Sequence, residues 1–285
     1  MRTGVIDIGS SSIKLIIGEN SEDGIKTLEF LKNLVPIGED AFTKGGIPRE
    51  IINQAVEILS RYRQHLQEYG VDDPSVVATT AVREARNRDL FLDVILRRTG
   101  FRVDVLTVGD VVFYIGAFLS FHLKRSYPVR SRHLLVAEIG SGGVDISLLK
   151  KGATIANYEL PSGVSRVRQL LARLDGSREE NLEAVEEYLD KEFAYVARIL
   201  PDLPLHDLFV INEGFAELLR KMLARQDPES DCFRLQGRDV SRLLKQCREL
   251  PRRELAEFLE IEEEDADNFT ACLMLLALLL RLAGK

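Results

Sequence analysis

Several protein classes are set aside by what this sequence lacks. It has no excess of positive charge: 38 Lys and Arg against 45 Asp and Glu leave a net charge of −7, which argues against a broad basic face for a nucleic-acid duplex. Phosphate ligands stay open, because one loop can be rich in donors while the whole chain is acidic. Cysteine is scarce. Cys232, Cys247 and Cys272 have no metal-ligand spacing and cannot all pair, so a reducing, cytoplasmic setting is expected. The four histidines (His65, His122, His133 and His206) are scattered and read as ordinary surface or partly buried residues. The apolar run Ala271–Leu280 falls well short of the ~20 residues that cross a bilayer, so no membrane partner is expected. Met1-Arg2-Thr3 leads directly into a strand-like run, so no secretory leader is expected. What remains is an ordinary globular composition, 45% hydrophobic, in a chain of 285 residues, long enough for two domains with their own cores.

The stretch that organises the chain is Gly4 to Ile17. Val5-Ile6 delivers Asp7 at the end of an apolar run, Gly9-Ser10-Ser11 turns the chain, and Ile13, Leu15 and Ile17 alternate along a second run. This pattern predicts strand, tight turn, strand. Gly9 allows close approach of backbone to a bound group, and Ser10, Ser11 and Ser12 offer donors to phosphate oxygens. Alone, such a turn is weak evidence, since hairpins carry Gly and Ser for turn chemistry. The pattern returns, however, at 134–149: Leu134 to Ala137, Glu138-Ile139, then Gly140-Ser141-Gly142-Gly143, then Val144-Asp145-Ile146. Two copies half a chain apart predict a duplicated fold with a ligand between the copies.

These residues carry a family resemblance. The chain resembles the exopolyphosphatase/guanosine pentaphosphatase (Ppx/GppA) family of the actin, sugar-kinase and heat-shock-chaperone superfamily. Asp7-Ile8-Gly9-Ser10-Ser11-Ser12 is similar to the family's D-L-G-S-N-S, with Ser11 in place of Asn. Ala78 to Asn87 is similar to A-T-S-A-x-R-E-A-x-N, the closest match. Glu138 to Asp145 resembles D-I-G-G-G-S-T-E with the two acids exchanged in type, and Ala266-Asp267 resembles an R-A-D block. The resemblance implies an α/β fold of two ribonuclease-H-like (actin-like ATPase) domains flanking a phosphate-binding cleft. The domains are expected at 1–123 and 124–285, with the last helix, 267–282, packing at the domain interface or in a homodimer. Longer family members carry a further helical domain, which is not expected in this sequence.

Between the motifs, Gly24–Val35 reads as a strand and Gly38–Gly46 as a turn-rich loop near the ligand. Pro48 starts a helix that ends near Gly70, and Ser75–Ala78 is a buried strand leading to Arg83, whose fork suits phosphate oxygens. Residues 88–99 predict a helix stopped by Gly100, Phe101–Val108 a strand, and Asp110–Leu123 a helix. Lys124–Arg132 reads as the crossover between domains. Gly163 is expected to open a helix through Leu174 with its N–H groups at an anion site.

Two departures qualify the resemblance. The family run S-G-E-E-E-A-R-L-I-Y, whose third Glu is its proposed catalytic base, aligns on Gly109 so that Val112 takes the Glu position. A general base contributes roughly 10²–10⁴-fold, so turnover without one should be slow. Asp110 is the nearby carboxylate that a register shift would bring in. Second, Asn212-Glu213-Gly214 stands where the superfamily has a Gly-rich turn, which argues against an ATP-dependent kinase.

The resemblance implies Mg²⁺-assisted attack of water on a terminal phosphoanhydride of polyphosphate or guanosine pentaphosphate. Asp7, Glu138 and Asp145 would hold the metal and orient water. Gly9–Ser12, Gly140–Gly143 and Arg83 would carry phosphate oxygens, with Asp110 as the candidate base. The alternative is a degenerate regulatory protein whose cleft binds polyphosphate or a phosphorylated guanosine nucleotide without turnover.

Overall fold

The structure is a computed structural model that describes residues 1–21, 24–122, 127–212, 214–223 and 234–284. The expectations that fall on the 123/124 boundary and the start of the crossover, on Glu213 and on Cys232 lie outside them. The chain divides into two compact units, 1–111 and 112–285.

The first unit opens with β1 (Arg2–Ile8), β2 (Ser12–Ser21) and β3 (Gly24–Leu34), then α1 (Ile37–Thr43), α2 (Arg49–Glu68), β4 (Ser75–Ala78), α3 (Thr80–Glu84), α4 (Arg88–Thr99) and β5 (Asp104–Val105). Its sheet runs β3-β2-β1-β4-β5, with β1 antiparallel to β2 and parallel to β4. Alternation places Ile6, Ile8, Ile13, Leu15 and Ile17 in the core with Leu59, Tyr62 and Phe91 from the helices, all with essentially no solvent exposure. The Tyr62 hydroxyl donates to Ile13 O at 2.9 Å, so the ring is anchored to the strand it covers. Burial raises its pKa to about 12.

The helix α5 (Val108–His122) follows, and the division between the units falls within it. The second unit repeats the plan with β6 (His133–Ile139), β7 (Val144–Lys150) and β8 (Ala153–Leu160), then α6 (Val164–Leu171), α7 (Arg178–Ile199) and β9 (Asp207–Ile211). Its sheet order is β8-β7-β6-β9, again with the first three strands antiparallel and the next parallel to the first of the unit. The chain continues through α8 (Phe215–Met222), α9 (Gly237–Glu249), α10 (Arg252–Leu259) and α11 (Glu263–Leu282).

The helix α11 is apolar all round because it is enclosed. Leu273, Leu275 and Leu279 are fully buried, and the helix packs on α6, α7, α9 and α10 and on the sheet at β6 and β9. Arg178, at the start of α7, ties this core together. It donates to Cys247 O at 3.0 Å, Asp267 Oδ1 at 3.2 Å and Thr270 Oγ1 at 3.2 Å, joining α7, α9 and α11. Burial pushes the Cys247 thiol up to about 11 and the Cys272 thiol to about 12, so both remain neutral packing groups. Among the described residues no helix is long and apolar enough to cross a membrane.

Several local expectations are corrected. Residues 38–46 do not form a loop throughout: Ile37 and Ala41 are buried at helical spacing, and their burial overrides the glycines to make α1. The strand expected over Phe101–Val108 shrinks to Asp104–Val105, which pairs with Val77 and Ala78 at the end of β4. The last helix starts at Glu263, one turn before the expected 267, and the helix opened by Gly163 ends at Leu171 rather than Leu174.

Candidate functional site

The first turn is closed by Gly9 N donating to Ser12 O at 2.9 Å, immediately beyond the last β1–β2 pair, Ile8 with Ile13. A Cβ on Gly9 would lie 3.2 Å from that carbonyl, which is why a glycine stands there. The turn is held from outside as well. Gly38 N donates to Ser10 O at 2.7 Å and Val35 N to Ser11 O at 3.0 Å, so α1 is docked on the turn it follows. Ser10 and Ser12 are buried, while Ser11 is exposed.

The second turn repeats this geometry. Gly140 N donates to Gly143 O at 2.9 Å, and a Cβ on Gly140 would again lie 3.2 Å from the turn's own carbonyl. Its outer support is α6. Val164 N donates to Gly140 O at 3.0 Å, Ser165 N to Ser141 O at 2.9 Å, and the Ser141 and Ser165 hydroxyls lie 2.6 Å apart. This corrects the expectation that the start of α6 offers its N–H groups to an anion: the first two are spent on the turn. A Cβ on Gly163 would come within 2.5 Å of Gly143 N, Gly142 C and Ser141 O, so this glycine is the point of contact between helix and turn.

Asn212 was read from sequence only as a departure, yet it is part of this support. Its Nδ2 donates to Ile139 O at 2.6 Å, the carbonyl immediately before the turn, and its Oδ1 accepts from Phe215 N at 3.2 Å at the start of α8. In the first unit the corresponding carbonyl, Ile8 O, accepts from the backbone N of Thr79 at 3.2 Å. A side-chain amide thus does in one unit what a main-chain amide does in the other. The signal available in sequence was an Asn directly after an apolar strand, a residue type that bonds nearby backbone.

The acids at the strand ends are treated differently by the two units. Asp7 stands opposite Lys14, and Lys14 Nζ lies 3.3 Å from Asp7 Oδ2. At the matching positions of the second unit Glu138 stands opposite Asp145, an acid opposite an acid. Like charges in directly opposed positions disfavour one another, and neither acid is without an interaction partner in the structure. Hard carboxylate oxygens suit Mg²⁺, which is commonly held by one or two protein carboxylates together with substrate phosphates rather than by a full protein cage. The Glu138–Asp145 pair fits that description. Asp7 already has a cation in Lys14, although its Oδ1 is buried without a hydrogen-bond partner. Among the described residues no three His, Cys, Asp or Glu side chains gather as a metal-binding group.

Arg83, on α3, donates through Nη1 to Leu106 O at 3.1 Å and through Nη2 to Thr80 Oγ1 at 3.4 Å, steadying the segment that leads into α5. Its neighbours in the same motif are scaffold. Asn87 exchanges two 2.8 Å hydrogen bonds with the backbone of Ile47, and Arg86 N donates to Gly45 O at 2.9 Å. Asp110 is engaged in a reciprocal cap at the start of α5. Its Oδ2 accepts from Thr107 N at 2.8 Å and Thr107 Oγ1 at 2.7 Å, and Asp110 N donates to Thr107 Oγ1 at 3.2 Å. These bonds favour the charged form and hold its carboxyl below the usual range. Val112, two residues on, has no group that transfers a proton.

Comparison with known proteins places this geometry. The model of the Ppx/GppA phosphatase family matches residues 16–282, beginning just after the first turn. Among curated relatives, a bifunctional 3-dehydroquinate synthase/phosphatase of Fusobacterium nucleatum is 28% identical over 154 residues, 50% of this chain and 22% of that protein. Exopolyphosphatase 1 of Mycobacterium leprae is 24% identical over 222 residues, 77% of this chain and 64% of the relative. The chain therefore spans less than two thirds of either relative. Among solved structures, an exopolyphosphatase from Cytophaga hutchinsonii superposes with a TM-score of 0.82 at 24% identity, covering 99% of this chain and 91% of that one. An Aquifex aeolicus member of the Ppx/GppA family superposes with a TM-score of 0.81 at 22% identity, covering 100% and 91%. At these identities the structures establish the shared actin-like ATPase fold.

Proposed function

The chain belongs to the Ppx/GppA phosphatase family, and from that premise we propose that it binds a phosphoanhydride chain, polyphosphate or guanosine pentaphosphate, and slowly hydrolyses its terminal phosphate. The observation that carries this reading is the repeated turn. Two strand-acid-glycine turn-strand units close with the same 2.9 Å hydrogen bond, and each is buttressed from outside. These bonds spend the Gly9 and Gly140 amides but fix the turns, so that the other groups of Ser10–Ser12 and Ser141–Gly143 would meet charge developing on phosphate oxygens without reorganising during the reaction.

In this reading Gly9–Ser12 and Gly140–Gly143 carry the phosphate oxygens and Arg83 adds a cation while steadying the entry to α5. Glu138 and Asp145 would hold Mg²⁺, which supplies charge neutralisation on the phosphoryl group. Asp7, with one oxygen paired to Lys14 and the other buried, orients water. The slowness follows from the base: Val112 cannot accept a proton, and the Asp110 carboxylate is committed to its cap and held ionised.

That same observation favours a second reading, in which the turns bind the ligand and report it by domain closure without turnover. Both readings share the binding step, which calorimetric titration tests. Long-chain polyphosphate and guanosine pentaphosphate, each with Mg²⁺, would be titrated into wild type and Glu138→Gln. Binding of one ligand that weakens tenfold or more in the variant supports the site. Absence of binding for both ligands, or affinity indifferent to Glu138→Gln, overturns it.

A further inference from the structure

The first unit holds a cavity of about 240 Å³ at the end remote from its turn, between the last turns of α2, the start of β4 and the segment that follows α4. The remoteness follows from register. β4 runs parallel to β1 with Ser75 opposite Val5 and Ala78 opposite Ile8, so the turn after Ile8 lies at one end of this strand pair and Pro74 at the other. Three strand steps put roughly 10 Å between them. The floor of the cavity is apolar: Leu66, Val71, Val76 and Phe101 line it, each at most 6% exposed. Leu66 is pressed onto β1 at Gly4, where a Cβ would come within 2.5 Å of Leu66 Cδ2.

The rim carries both signs of charge. Arg63 is fixed in place: its Nη1 donates to Thr99 O, and its guanidinium lies over the Phe101 ring, 5.5 Å from the centroid. Gly100, at φ +75°, turns the chain beneath it without a Cβ to obstruct it. Among the described residues Arg63 Nε and Nη2 make no further hydrogen bond. Arg102, Asp72 and Asp73 line the same cavity, are exposed, and have no side-chain hydrogen bond or ion pair among the described residues. Two cations and two acids thus border one apolar cavity without pairing with each other.

We propose that this cavity is a binding site for an α-amino acid with an apolar side chain. The ligand carboxylate meets the unspent N–H groups of Arg63, whose planar fork suits two oxygens, and Arg102 adds a second cation. The ammonium group meets Asp72 and Asp73, and the side chain covers the floor formed by Leu66, Val71 and Phe101. A ligand with one charge would leave the other sign of the rim unanswered, whereas a zwitterion answers both. The volume lies below the ~300–1,000 Å³ of pockets for drug-sized molecules, which suits a ligand of amino-acid size. The two carboxylates repel a phosphate chain, so the site differs in chemistry as well as position from the glycine turns.

Calorimetric titration of the full chain with L-leucine and L-phenylalanine tests this, beside isocaproate and isoamylamine, which keep the apolar body of leucine with only one of its charges. The variants are Asp72→Asn/Asp73→Asn and Arg102→Gln, all at exposed positions, so circular dichroism and melting temperature should match wild type. The expected result is binding of at least one amino acid with a Kd of about 1 mM or tighter. Both single-charge analogues should bind at least tenfold more weakly, and both variants should weaken amino-acid binding by a similar factor. The proposal is overturned if neither amino acid binds at about 10 mM, if the variants bind as wild type does, or if either single-charge analogue binds as tightly as leucine.

Discussion

Gly163→Ala should damage the second glycine turn by a single methyl group. The backbone at Gly163 has φ −78° and ψ 174°, open to any residue, so conformational strain is not the issue. Space is. The new Cβ would lie 2.3 Å from Gly143 N and 2.5 Å from both Gly142 C and Ser141 O, all main-chain atoms that cannot swing aside. The turn and α6 must part, stretching the Val164–Gly140 and Ser165–Ser141 hydrogen bonds. Overpacking costs ~1–3 kcal/mol and each impaired hydrogen bond about 0.5–1.5. A total of roughly 2–6 kcal/mol should lower Tm by about 5–20 °C. Gly237→Ala is the control, since a Cβ there meets nothing within 4 Å. Thermal unfolding should show the drop for Gly163→Ala alone, and titration with polyphosphate and Mg²⁺ should show weakened binding at temperatures where the variant is folded. A Gly163→Ala protein that melts with wild type and binds as tightly would refute the role given to this contact.

Three further outcomes are expected. Asn212→Asp keeps the acceptor for Phe215 N but removes the donor to Ile139 O, so it should lose about 1–3 kcal/mol. Urea unfolding should find it as damaged as Asn212→Ala; a neutral Asn212→Asp would mean that Ile139 O needs no partner. Arg178→Met should cost roughly 1–3 kcal/mol by leaving Cys247 O and Thr270 without their donor while Asp267 keeps Arg252 at 3.4 Å. Equal Tm values for variant and wild type would contradict this. Asp110, whose pKa is held below the usual carboxylate value by Thr107, stabilises the fold above the ordinary carboxylate pKa and loses that contribution as pH falls through its lowered value. Asp110→Ala should therefore be less stable than wild type at neutral pH, with the difference closing in acid; a constant difference down to low pH would place its role elsewhere.

Much of this was readable in the residues. The alternation of Ile13, Leu15 and Ile17 and its echo at Val144 and Ile146 specified both hairpins, because a half-buried strand must present one face to its core. The turns with their acids were legible for the same reason. Residues 38–46 were not, since Gly38, Gly45 and Gly46 dominate the local pattern while the docking of Gly38 N on Ser10 O is a tertiary event. Asn212 and Arg178 act across 73 and 92 positions of sequence, on Ile139 and Thr270, which no window of local pattern spans. Asp110 looked like a spare carboxylate until its reciprocal bonds with Thr107 gave it a local task. The asymmetry between Asp7–Lys14 and Glu138–Asp145 was present in the letters, but it acquires meaning only when strand register sets each residue opposite its partner.

The most direct test of the central claim is release of inorganic phosphate from long-chain polyphosphate and guanosine pentaphosphate with Mg²⁺, comparing wild type, Val112→Glu and Asp145→Asn. Slow release by wild type, loss of it in Asp145→Asn and a gain on the order of 10²-fold or more in Val112→Glu are predicted. Fast release by wild type that Val112→Glu leaves unchanged, or no release by any of the three, would contradict a phosphohydrolase site that lacks only its base.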